Sequence, residues 1–270
     1  MILREITCRS ILSRSNIPGV DYAVNPYVGC GHGCVYCYAT FMKRFTNHDE
    51  PWGQFVDVKV NAPDRLRRDL RRSGPGEVLL SSVTDPYQPI EAKYGVTRAC
   101  LEILRQVKLP VSILTKSSLV LRDLDVLSGM REVDVGITVT TIDEQIRALF
   151  EPGSSPLKER FAALRRLSEA GITTWVFFGP VLPFFSDGEG AMEAVLKQAE
   201  ACGASYVYMD SMNFYPAVWQ RVEALLRIHR PDMLPYYNRV RREKAKYDSA
   251  LRERIRAVAA KHAISCRILF

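Results

Sequence analysis

The sequence predicts an α/β fold: an open, partial barrel of TIM type with a helical C-terminal extension. Between about residue 22 and residue 213, apolar runs of strand length alternate with amphipathic segments of helix length. This is the pattern of βαβ units around a parallel sheet, and about seven such strands suit a partial barrel better than a short doubly wound sheet. No linker rich in Pro, Gly or Ser divides the 270 residues. We therefore expect residues 1–217 to form the barrel with its N-terminal segment, and residues 218–270 to form a basic helical extension packed on it.

Each element follows from its own local pattern. Short apolar or alternating runs predict strands, and a period near 3.6 residues with Pro starts and Gly stops predicts helices. The predicted strands are Tyr22–Val28, Phe55–Val60, Glu77–Ser82, Val111–Ser117, Glu132–Thr141, Ile172–Pro183 and Ser205–Asn213. The predicted helices are Ala62–Gly74, Val96–Lys108, Val120–Met130, Pro156–Gly171 and Gly190–Gly203. One face of the second helix carries Val96, Cys100, Ile103, Leu104 and Val107, which we expect to be buried.

Composition argues against a membrane protein or a secreted one. The chain is 47% hydrophobic and 25% charged, as soluble domains are. Its longest apolar stretch, Trp175–Phe185, is broken by Gly179, Pro180 and Pro183 and reads as a buried strand with its exit loop. The first ten residues carry charges where a signal peptide needs an apolar core. We expect a cytoplasmic monomer that does not bind membranes.

The positive charge is concentrated at the C-terminus. The formal net charge is +7, and residues 218–270 alone hold 13 Lys or Arg against 5 Asp or Glu. Such a segment can attract nucleic acid. Alternatively, it is a solvated helix face with ion pairs one turn apart, such as Arg239–Glu243, Lys244–Asp248 and Glu253–Arg256.

Three of the seven cysteines form one tight cluster. Cys30, Cys34 and Cys37 have the spacing C-x3-C-x2-C, whereas Cys8, Cys100, Cys202 and Cys266 are isolated. An odd total with one cluster indicates a reducing compartment and a metal rather than disulfides. Cys100 and Cys202 lie on helical patterns, which predicts core positions.

Three thiolates leave the identity of the metal open. A structural zinc site needs a fourth ligand, and His48 is the candidate for it. On a four-iron cluster, three cysteines leave one iron free to coordinate a substrate or cofactor. Gly29, Gly31 and Gly33 fit a loop that wraps a cluster, because glycine tolerates crowded or left-handed backbone.

Polar residues follow the predicted strands directly, at the edge where parallel sheets bind ligands. These segments are the cysteine loop, Ser81–Gln88, Thr115–Ser118, Thr138–Thr141, Gly179–Pro183 and Met209–Asn213. These strand ends are therefore the candidate ligand-binding segments.

The cysteine motif, with an aromatic residue before its last cysteine and after the first strand of a (βα) series, resembles the radical S-adenosylmethionine (SAM) enzymes. That resemblance implies a partial (β/α)6 barrel over about residues 25–213, a 4Fe–4S cluster on Cys30, Cys34 and Cys37, and SAM chelated to the open iron. It also implies an electron donor such as flavodoxin or ferredoxin. The implied reaction is reductive cleavage of SAM to a 5′-deoxyadenosyl radical, which abstracts a hydrogen atom from the substrate.

Four blocks in order resemble the spore photoproduct lyase-like, DNA repair photolyase-related branch: NPYVGCGHGCVYCYA, SSVTDPYQPIE, ILTKSS and FEPGSSP…RLSEAGI…GPVLP. This resemblance implies cofactor contacts and radical-handling residues. For the methionyl part of SAM, the implied contacts are Ser82, Thr84 and Asp85 to the amino group and Lys116 to the carboxylate. For the adenosyl part, they are Thr138 and Thr140 to the ribose, and Val181 and Leu182 to the adenine. Tyr36 and Tyr38 flank Cys37, as two tyrosines of the lyase that are linked to radical return do. For Tyr36 and Tyr38, simple packing beside the cluster is the alternative, and for Lys116 a surface position just past the strand.

One position departs from the lyase pattern. The lyase carries its hydrogen-donating cysteine where this sequence has Ser82, whose O–H bond is too strong to give up a hydrogen atom readily. Three hypotheses therefore stand: radical chemistry on a nucleic acid or nucleotide, the same chemistry on a peptide or small metabolite, and a non-catalytic zinc or iron–sulfur module. Iron content separates zinc from a cluster, and SAM cleavage separates an enzyme from a passive carrier.

Overall fold

A computed structural model describes all 270 residues. It contains eleven strands. They are β1 (Ile2–Ile6), β2 (Leu12–Arg14), β3 (Tyr22–Val24), β4 (Tyr27–Gly29), β5 (Phe55–Lys59), β6 (Val78–Leu80), β7 (Val111–Thr115), β8 (Val133–Thr138), β9 (Thr173–Val181), β10 (Tyr206–Ser211) and β11 (Ser265–Ile268).

Ten α-helices and three 3₁₀ helices connect the strands. The α-helices are α1 (Ala62–Leu70), α2 (Glu91–Tyr94), α3 (Val96–Val107), α4 (Leu124–Leu127), α5 (Glu144–Phe150), α6 (Leu157–Glu169), α7 (Glu189–Ala201), α8 (Pro216–His229), α9 (Leu234–Arg242) and α10 (Lys244–Ala259). The 3₁₀ helices are Tyr38–Phe45, Ser118–Asp123 and Pro231–Met233. None of the helices is long and apolar enough to cross a membrane.

The main sheet is an open barrel of parallel strands. Its order is β11-β10-β9-β8-β7-β6-β3-β2, and every neighbouring pair from β3 to β11 is parallel. Only β2 is antiparallel, and it forms one edge. The six strands β3 and β6 to β10 are the predicted partial (β/α)6 barrel, so the fold prediction is confirmed.

The barrel strands are buried because helices cover their outer face. Val135 and Ile137 of β8 and Val176 of β9 have no exposed surface, as expected for parallel strands covered on both sides. Cys100 and Cys202 are buried in the same core, as the helical patterns predicted. Val107, predicted on the buried face of α3, is instead 43% exposed because it is the last residue of that helix.

The predicted strand Phe55–Val60 does not belong to the barrel, and that part of the strand count is wrong. β5 is the centre of a separate three-stranded sheet, parallel to β1 and antiparallel to β4. The predicted first strand, Tyr22–Val28, divides at Asn25 and Pro26, so β3 enters the barrel while β4 enters the small sheet. The small sheet thus supports the loop that begins at Cys30.

Two further segments differ from their predictions. Val120–Met130 forms a 3₁₀ helix followed by the four-residue α4 instead of one α-helix. The C-terminal extension, predicted from residue 218, contains α9, α10 and all but the first two residues of α8, and it ends in β11, a strand that periodicity did not predict. Because β11 pairs in parallel with β10, the extension completes one edge of the barrel sheet.

Candidate active site

The cysteine loop leaves β4 at the carboxyl end of the barrel and is held by backbone hydrogen bonds. Within it, the Gly33 N–H donates to the Cys30 carbonyl (3.2 Å) and the Cys37 N–H to the Cys34 carbonyl (3.2 Å). A neighbouring loop adds a bond from the Gly153 N–H to the His32 carbonyl (3.0 Å). All three cysteines line one pocket.

Two glycines of the loop are required by its backbone. Gly29 has φ +83°, and a Cβ there would lie 2.5 Å from the Phe55 carbonyl oxygen. Gly33 has φ +61°, and Gly53 packs so closely that a Cβ on Gly53 would lie 2.6 Å from the Gly33 Cα. Gly31, the third predicted glycine, does not have a positive φ.

Burial of the three cysteines disfavours their thiolate forms unless a positive charge compensates the negative one. Burial raises the pKa of Cys34 to about 12, an effect that Lys116 opposes and Glu151 reinforces. Burial also raises the pKa of Cys30 and Cys37. Since thiolates are the metal-binding form, positive charge from bound iron offsets this cost when ligation occurs.

The zinc alternative fails on the geometry of His48. Its Nε2 lies 2.8 Å from Asp57 Oδ1 and its Nδ1 lies 2.9 Å from Glu50 Oε2, so both ring nitrogens already have carboxylate partners. The ring also stacks on Phe55, with centroids 4.2 Å apart.

Side chains at the strand ends meet the cysteines as predicted. Ser82, Thr84 and Asp85 follow β6, Lys116 follows β7, and Thr138 ends β8; all five line the pocket. Parallel strands bring these residues together because their carboxyl ends share one edge of the sheet.

Asp85 accepts hydrogen bonds from three neighbouring groups at the carboxyl edge of the barrel sheet. Its carboxylate accepts from the Thr115 hydroxyl (2.7 Å), the Tyr87 N–H (2.9 Å) and the Lys116 N–H (2.8 Å). Burial alone would raise the pKa of Asp85, but His32, the Thr115 hydroxyl and the Lys116 N–H lower it to about 2. Its lone pairs are thus largely used within the protein, which suits orienting the pocket better than binding a ligand directly.

Thr84 and Gln88 fasten this segment to the cysteine loop. The Thr84 hydroxyl donates to the Gly29 carbonyl (2.6 Å) and accepts from Gln88 Nε2 (2.9 Å). Gln88 Oε1 accepts from the Gly31 N–H (2.7 Å). Gln88 is fully buried and was not singled out from the sequence, although it lies within the quoted block SSVTDPYQPIE.

Lys116 brings an unpaired positive charge into the pocket. Its ammonium makes no hydrogen bond or ion pair and lies 5.7 Å from the centre of the Tyr36 ring. Burial would lower the pKa of Lys116, but Cys34, Glu151 and Asp85 raise it above its ordinary value. Lys116 therefore lines the pocket and is not a surface residue. Its ammonium offers a charged hydrogen-bond donor to a ligand bound there.

Tyr36 is bound to an ion pair that sequence reasoning missed. Its phenol donates to the fully buried Glu151, which also pairs with the fully buried Arg160. Burial would raise the pKa of Glu151, but Arg160 and Lys116 lower it below its ordinary value. Helical periodicity gave no sign of this pair, because an arginine on α6 is ordinarily a surface residue; only the block FEPGSSP contained Glu151.

Three other predicted cofactor residues lie behind the pocket wall. The hydroxyl of Thr140 donates to Glu151 Oε1 (3.0 Å), and Val181 and Leu182 are fully buried. None of the three lines the pocket, whereas their neighbours Gly179 and Pro180 do.

Tyr38 lies at the rim with half of its surface exposed, and its phenol donates to the Ser82 carbonyl. The Ser82 hydroxyl accepts from Asn25 Nδ2 (3.3 Å). No cysteine other than the three of the motif lines the pocket.

The C-terminal extension reaches the site at two points. Arg221 of α8 donates from Nη2 to the Gly33 carbonyl (3.1 Å), and Lys244 of α10 donates to the Ser211 hydroxyl (2.8 Å) of the pocket wall. The predicted Lys244–Asp248 pair is present at 2.5 Å, whereas the predicted pairs of Arg239 and Arg256 are not formed.

The lining of the pocket has unpaired polar groups, as expected for the binding site of a polar, anionic cofactor beside a metal cluster. Three buried polar atoms of its lining lack hydrogen-bond partners: His32 Nδ1, Ser81 Oγ and Thr138 Oγ1. His32 Nδ1 does lie 3.3 Å from Asp85 Oδ2, but not in hydrogen-bonding geometry. Unsatisfied buried groups are costly, so these atoms, with the free ammonium of Lys116, fit a bound ligand.

Comparison with known proteins agrees with this site. The radical SAM superfamily model matches residues 24–195. An uncharacterized protein of Methanocaldococcus jannaschii is 36% identical over 185 residues, which cover 68% of this chain and 70% of that protein. A radical SAM Nalpha-GlyT isomerase of Pseudomonas phage M6 is 27% identical over 160 residues, or 58% of this chain and 32% of that protein.

Among solved structures, spore photoproduct lyase complexed with dinucleoside spore photoproduct superposes with a TM-score of 0.73 at 16% identity, covering 99% of this chain and 82% of that one. A lyase variant with bound AdoMet and the same dinucleoside gives a TM-score of 0.71 at 15% identity, with the same shares covered. At such identities the likeness establishes the fold. Together with the family match over most of the barrel, the cysteine loop and its pocket show that the chain belongs to the radical SAM superfamily, whose members use a 4Fe–4S cluster and S-adenosylmethionine.

Proposed function

We propose that this chain abstracts a hydrogen atom from a nucleic acid or nucleotide. One observation carries the choice of substrate class: the basic C-terminal extension abuts the pocket, through Lys244 at Ser211 and Arg221 at Gly33. A polyanion held by the extension would thereby be held beside the site of radical chemistry.

The residues around the pocket divide the task of holding the cofactors. Cys30, Cys34 and Cys37 would ligate the cluster, and the free ammonium of Lys116 would meet the carboxylate of SAM. When bound, the reduced cluster and SAM supply a 5′-deoxyadenosyl radical. Thr138, with its unpaired hydroxyl, would bind on the ribose side. Because Gly179 and Pro180 line the pocket whereas Val181 and Leu182 do not, we propose that the adenine packs against Gly179 and Pro180.

The remaining polar residues would orient rather than bind. Asp85 fixes the backbone of Lys116 and holds the strand-end loop, while Thr84 and Gln88 hold the cysteine loop against it. Ser82 lines the pocket where the lyase pattern has a cysteine, so this chain does not offer a thiol donor there. We assign radical handling to Tyr38 at the rim and to Tyr36, whose phenol has the Glu151 carboxylate as a proton acceptor.

Charge and relatives support a nucleic-acid substrate. Arg239, Arg241 and Arg242 are exposed and form no ion pair. Arg241 lies over the Trp219 ring (4.8 Å to its centre), and such an arginine beside an aromatic face can bind both phosphate and base. Two solved structures of similar fold, both of spore photoproduct lyase, contain dinucleoside spore photoproduct. An electron donor of the flavodoxin or ferredoxin class would complete the system.

The test is substrate-stimulated cleavage of SAM. Anaerobically reconstituted, reduced protein is incubated with SAM and with single-stranded DNA, duplex DNA, RNA, nucleotides or peptides, and 5′-deoxyadenosine is measured. We expect a polynucleotide or nucleotide to raise the rate, and deuterium from labelled substrate to enter 5′-deoxyadenosine. Stimulation by peptides alone would contradict a nucleic-acid or nucleotide substrate and would support a peptide substrate. Reduced, iron-replete protein that forms no 5′-deoxyadenosine would contradict the enzyme assignment for this chain.

A further inference from the structure

A groove outside the active site is lined almost entirely by arginine. Its walls are Arg9, Arg65, Arg68, Arg71, Arg72 and one acid, Asp69. Arg65 and Arg68 belong to α1, Arg71 and Arg72 follow its end, and Arg9 comes from the segment before β2. No apolar residue lines this arginine groove.

The arginine charges of the groove are not neutralised within the protein. None of the five guanidinium groups forms an ion pair or a side-chain hydrogen bond, whereas Arg67 on the same helix pairs with Asp64 at 3.2 Å. Cationic residues at a helix C-terminus stabilise its dipole, which accounts for Arg71 and Arg72. It also accounts for Arg68 in the last turn, but it does not explain Arg9 and Arg65, which lie away from the helix end.

Asp69 fixes the shape of the groove and offsets only one of its five positive charges. Its Oδ2 accepts from the Ser10 hydroxyl (2.8 Å) and from the N–H groups of Ile11 (2.8 Å) and Leu12 (3.1 Å). These bonds hold the segment that carries Arg9 against α1. The guanidinium groups therefore surround a pre-shaped concave surface.

From these contacts we infer that the arginine groove binds the phosphate backbone of a nucleic acid. Guanidinium forks match phosphate oxygens in pairs, and contacts to phosphate position a nucleic acid without reading its sequence. A membrane or a protein partner of ordinary kind would need apolar contact surface, which the groove lacks. The inference rests on the proposed function, because the arginine groove would be a second binding surface for the same class of substrate.

The groove and the C-terminal extension lie at opposite edges of the barrel sheet. Asp69 binds the residues that lead into β2, the edge strand at one end, while the extension contributes β11 at the other. Substitutions in the two surfaces share no contacts, so their effects on binding should be independent.

The test compares two variants with the wild-type holoprotein. The first is Arg68→Gln/Arg71→Gln/Arg72→Gln, and the matched control is Arg67→Gln on the same helix. Binding to labelled single-stranded and duplex DNA is measured by fluorescence anisotropy across a salt series, with thermal unfolding as the check on folding. We expect the triple variant to lose at least about tenfold in affinity at low salt, and its log–log salt slope to flatten by about 2 to 3, at about 0.7 to 0.9 per phosphate. The Arg67→Gln control should bind like the wild type.

A conservative variant keeps the test decisive if the glutamine variant is unstable. Arg68→Lys/Arg71→Lys/Arg72→Lys retains the charge and should retain most of the salt slope. Unchanged binding by a folded glutamine variant would refute the groove assignment and leave the proposed function standing. Wild-type protein that binds no polynucleotide at low salt would refute both the groove assignment and a nucleic-acid substrate, and would restrict the proposed function to a nucleotide. Equal competition by poly-glutamate of matched charge would show a general anion surface and overturn the nucleic-acid assignment.

Discussion

Arg221 donates a hydrogen bond from Nη2 to the carbonyl oxygen of Gly33, 3.1 Å away, and so joins the C-terminal extension to the loop between Cys30 and Cys34. Its Nη1 is buried without a partner. Burial lowers the pKa of Arg221, while Cys37 and Cys34 oppose the shift. A positive charge is thus held close to the cysteines by an element that lies outside the barrel.

Replacing Arg221 should make the cluster harder to reduce. Reduction adds a negative charge, and a nearby cation stabilises it. We expect Arg221→Gln to shift the midpoint potential of the reconstituted cluster to more negative values by on the order of tens of millivolts. Redox titration followed by electron paramagnetic resonance measures this. Arg227→Gln, an exposed arginine on the same helix that pairs with Glu223, is the control, and an equal shift in both would refute a local effect.

The three motif cysteines should each be required for iron binding. Cys34→Ala removes one of only three protein ligands, so iron after anaerobic reconstitution should fall far below four per chain, as ligand loss from a cluster does. Cys266→Ala, outside the pocket and half-buried, should keep normal iron. Full iron content and an unaltered visible spectrum in Cys34→Ala would contradict the ligand assignment.

Close backbone packing should make the cysteine loop sensitive to a single methyl group. A Cβ on Gly153 would lie 2.3 Å from the Gly31 carbonyl oxygen and 3.0 Å from the His32 Cα. Because backbone cannot move aside cheaply, Gly153→Ala should displace the loop and lower both iron retention and stability, the latter by about 1–3 kcal/mol. Gly190→Ala, whose new methyl would meet nothing within 4 Å and which lies in α7, should keep normal iron and should not lose stability. Iron retention in Gly153→Ala equal to that in Gly190→Ala would show that the loop tolerates the methyl group.

Sequence reasoning found the parts of the site that depend on spacing and strand order. The cysteine motif and the polar residues after β6, β7 and β8 meet in one pocket because parallel strands end at the same edge. Periodicity could not show which way a side chain turns just past a strand. Thr140, Val181 and Leu182 are buried and do not line the pocket, although they lie at or just past strand ends as Thr138 and Lys116 do.

The local sequence pattern also could not predict which strands and which charged side chains pair over long distances along the chain. β5 has the length of a barrel strand, but its partners are β1 and β4, and the partners of a strand cannot be read from its own residues. Glu151 and Arg160 form a buried ion pair although charged residues at such positions are ordinarily solvated. The arginine groove was missed for another reason: the charge of residues 1–217 nearly balances, which hides a local excess.

Breaking the buried Glu151–Arg160 pair should destabilise the fold. Arg160→Met leaves the fully buried Glu151 carboxylate without its cation, which costs about 3–5 kcal/mol. Urea unfolding of the two single variants and of Arg160→Met/Glu151→Leu measures this, and the double variant should lose less than Arg160→Met alone. A double-variant loss equal to the sum of the two single losses would show that the groups do not interact.

The same pair predicts a direction of pH dependence. The pKa of Glu151 in the folded protein lies below its ordinary value. Its stabilising contribution is therefore present above about pH 4.3, the value for an unfolded chain, and is lost as the pH falls below that. The wild type should lose more stability than Arg160→Met/Glu151→Leu over this acidic range.

Lys116 should set the affinity for SAM. Its ammonium is charged, faces the pocket and has no partner in the protein, so a cofactor carboxylate would give it a charge-assisted hydrogen bond. Such a bond contributes roughly 1.5–3 kcal/mol, so Lys116→Met should raise the dissociation constant of SAM about 10- to 150-fold. Iron content should stay normal, because Lys116 is not a cluster ligand, and isothermal titration of the anaerobic, reconstituted protein measures the affinity directly. Lys158→Met, an exposed lysine on α6, should bind SAM like the wild type. S-adenosylhomocysteine carries the same carboxylate without the sulfonium charge, and its affinity should fall by a similar factor in Lys116→Met. A loss confined to SAM would instead mean that Lys116 acts on the sulfonium end of the pocket, and the carboxylate assignment would be wrong.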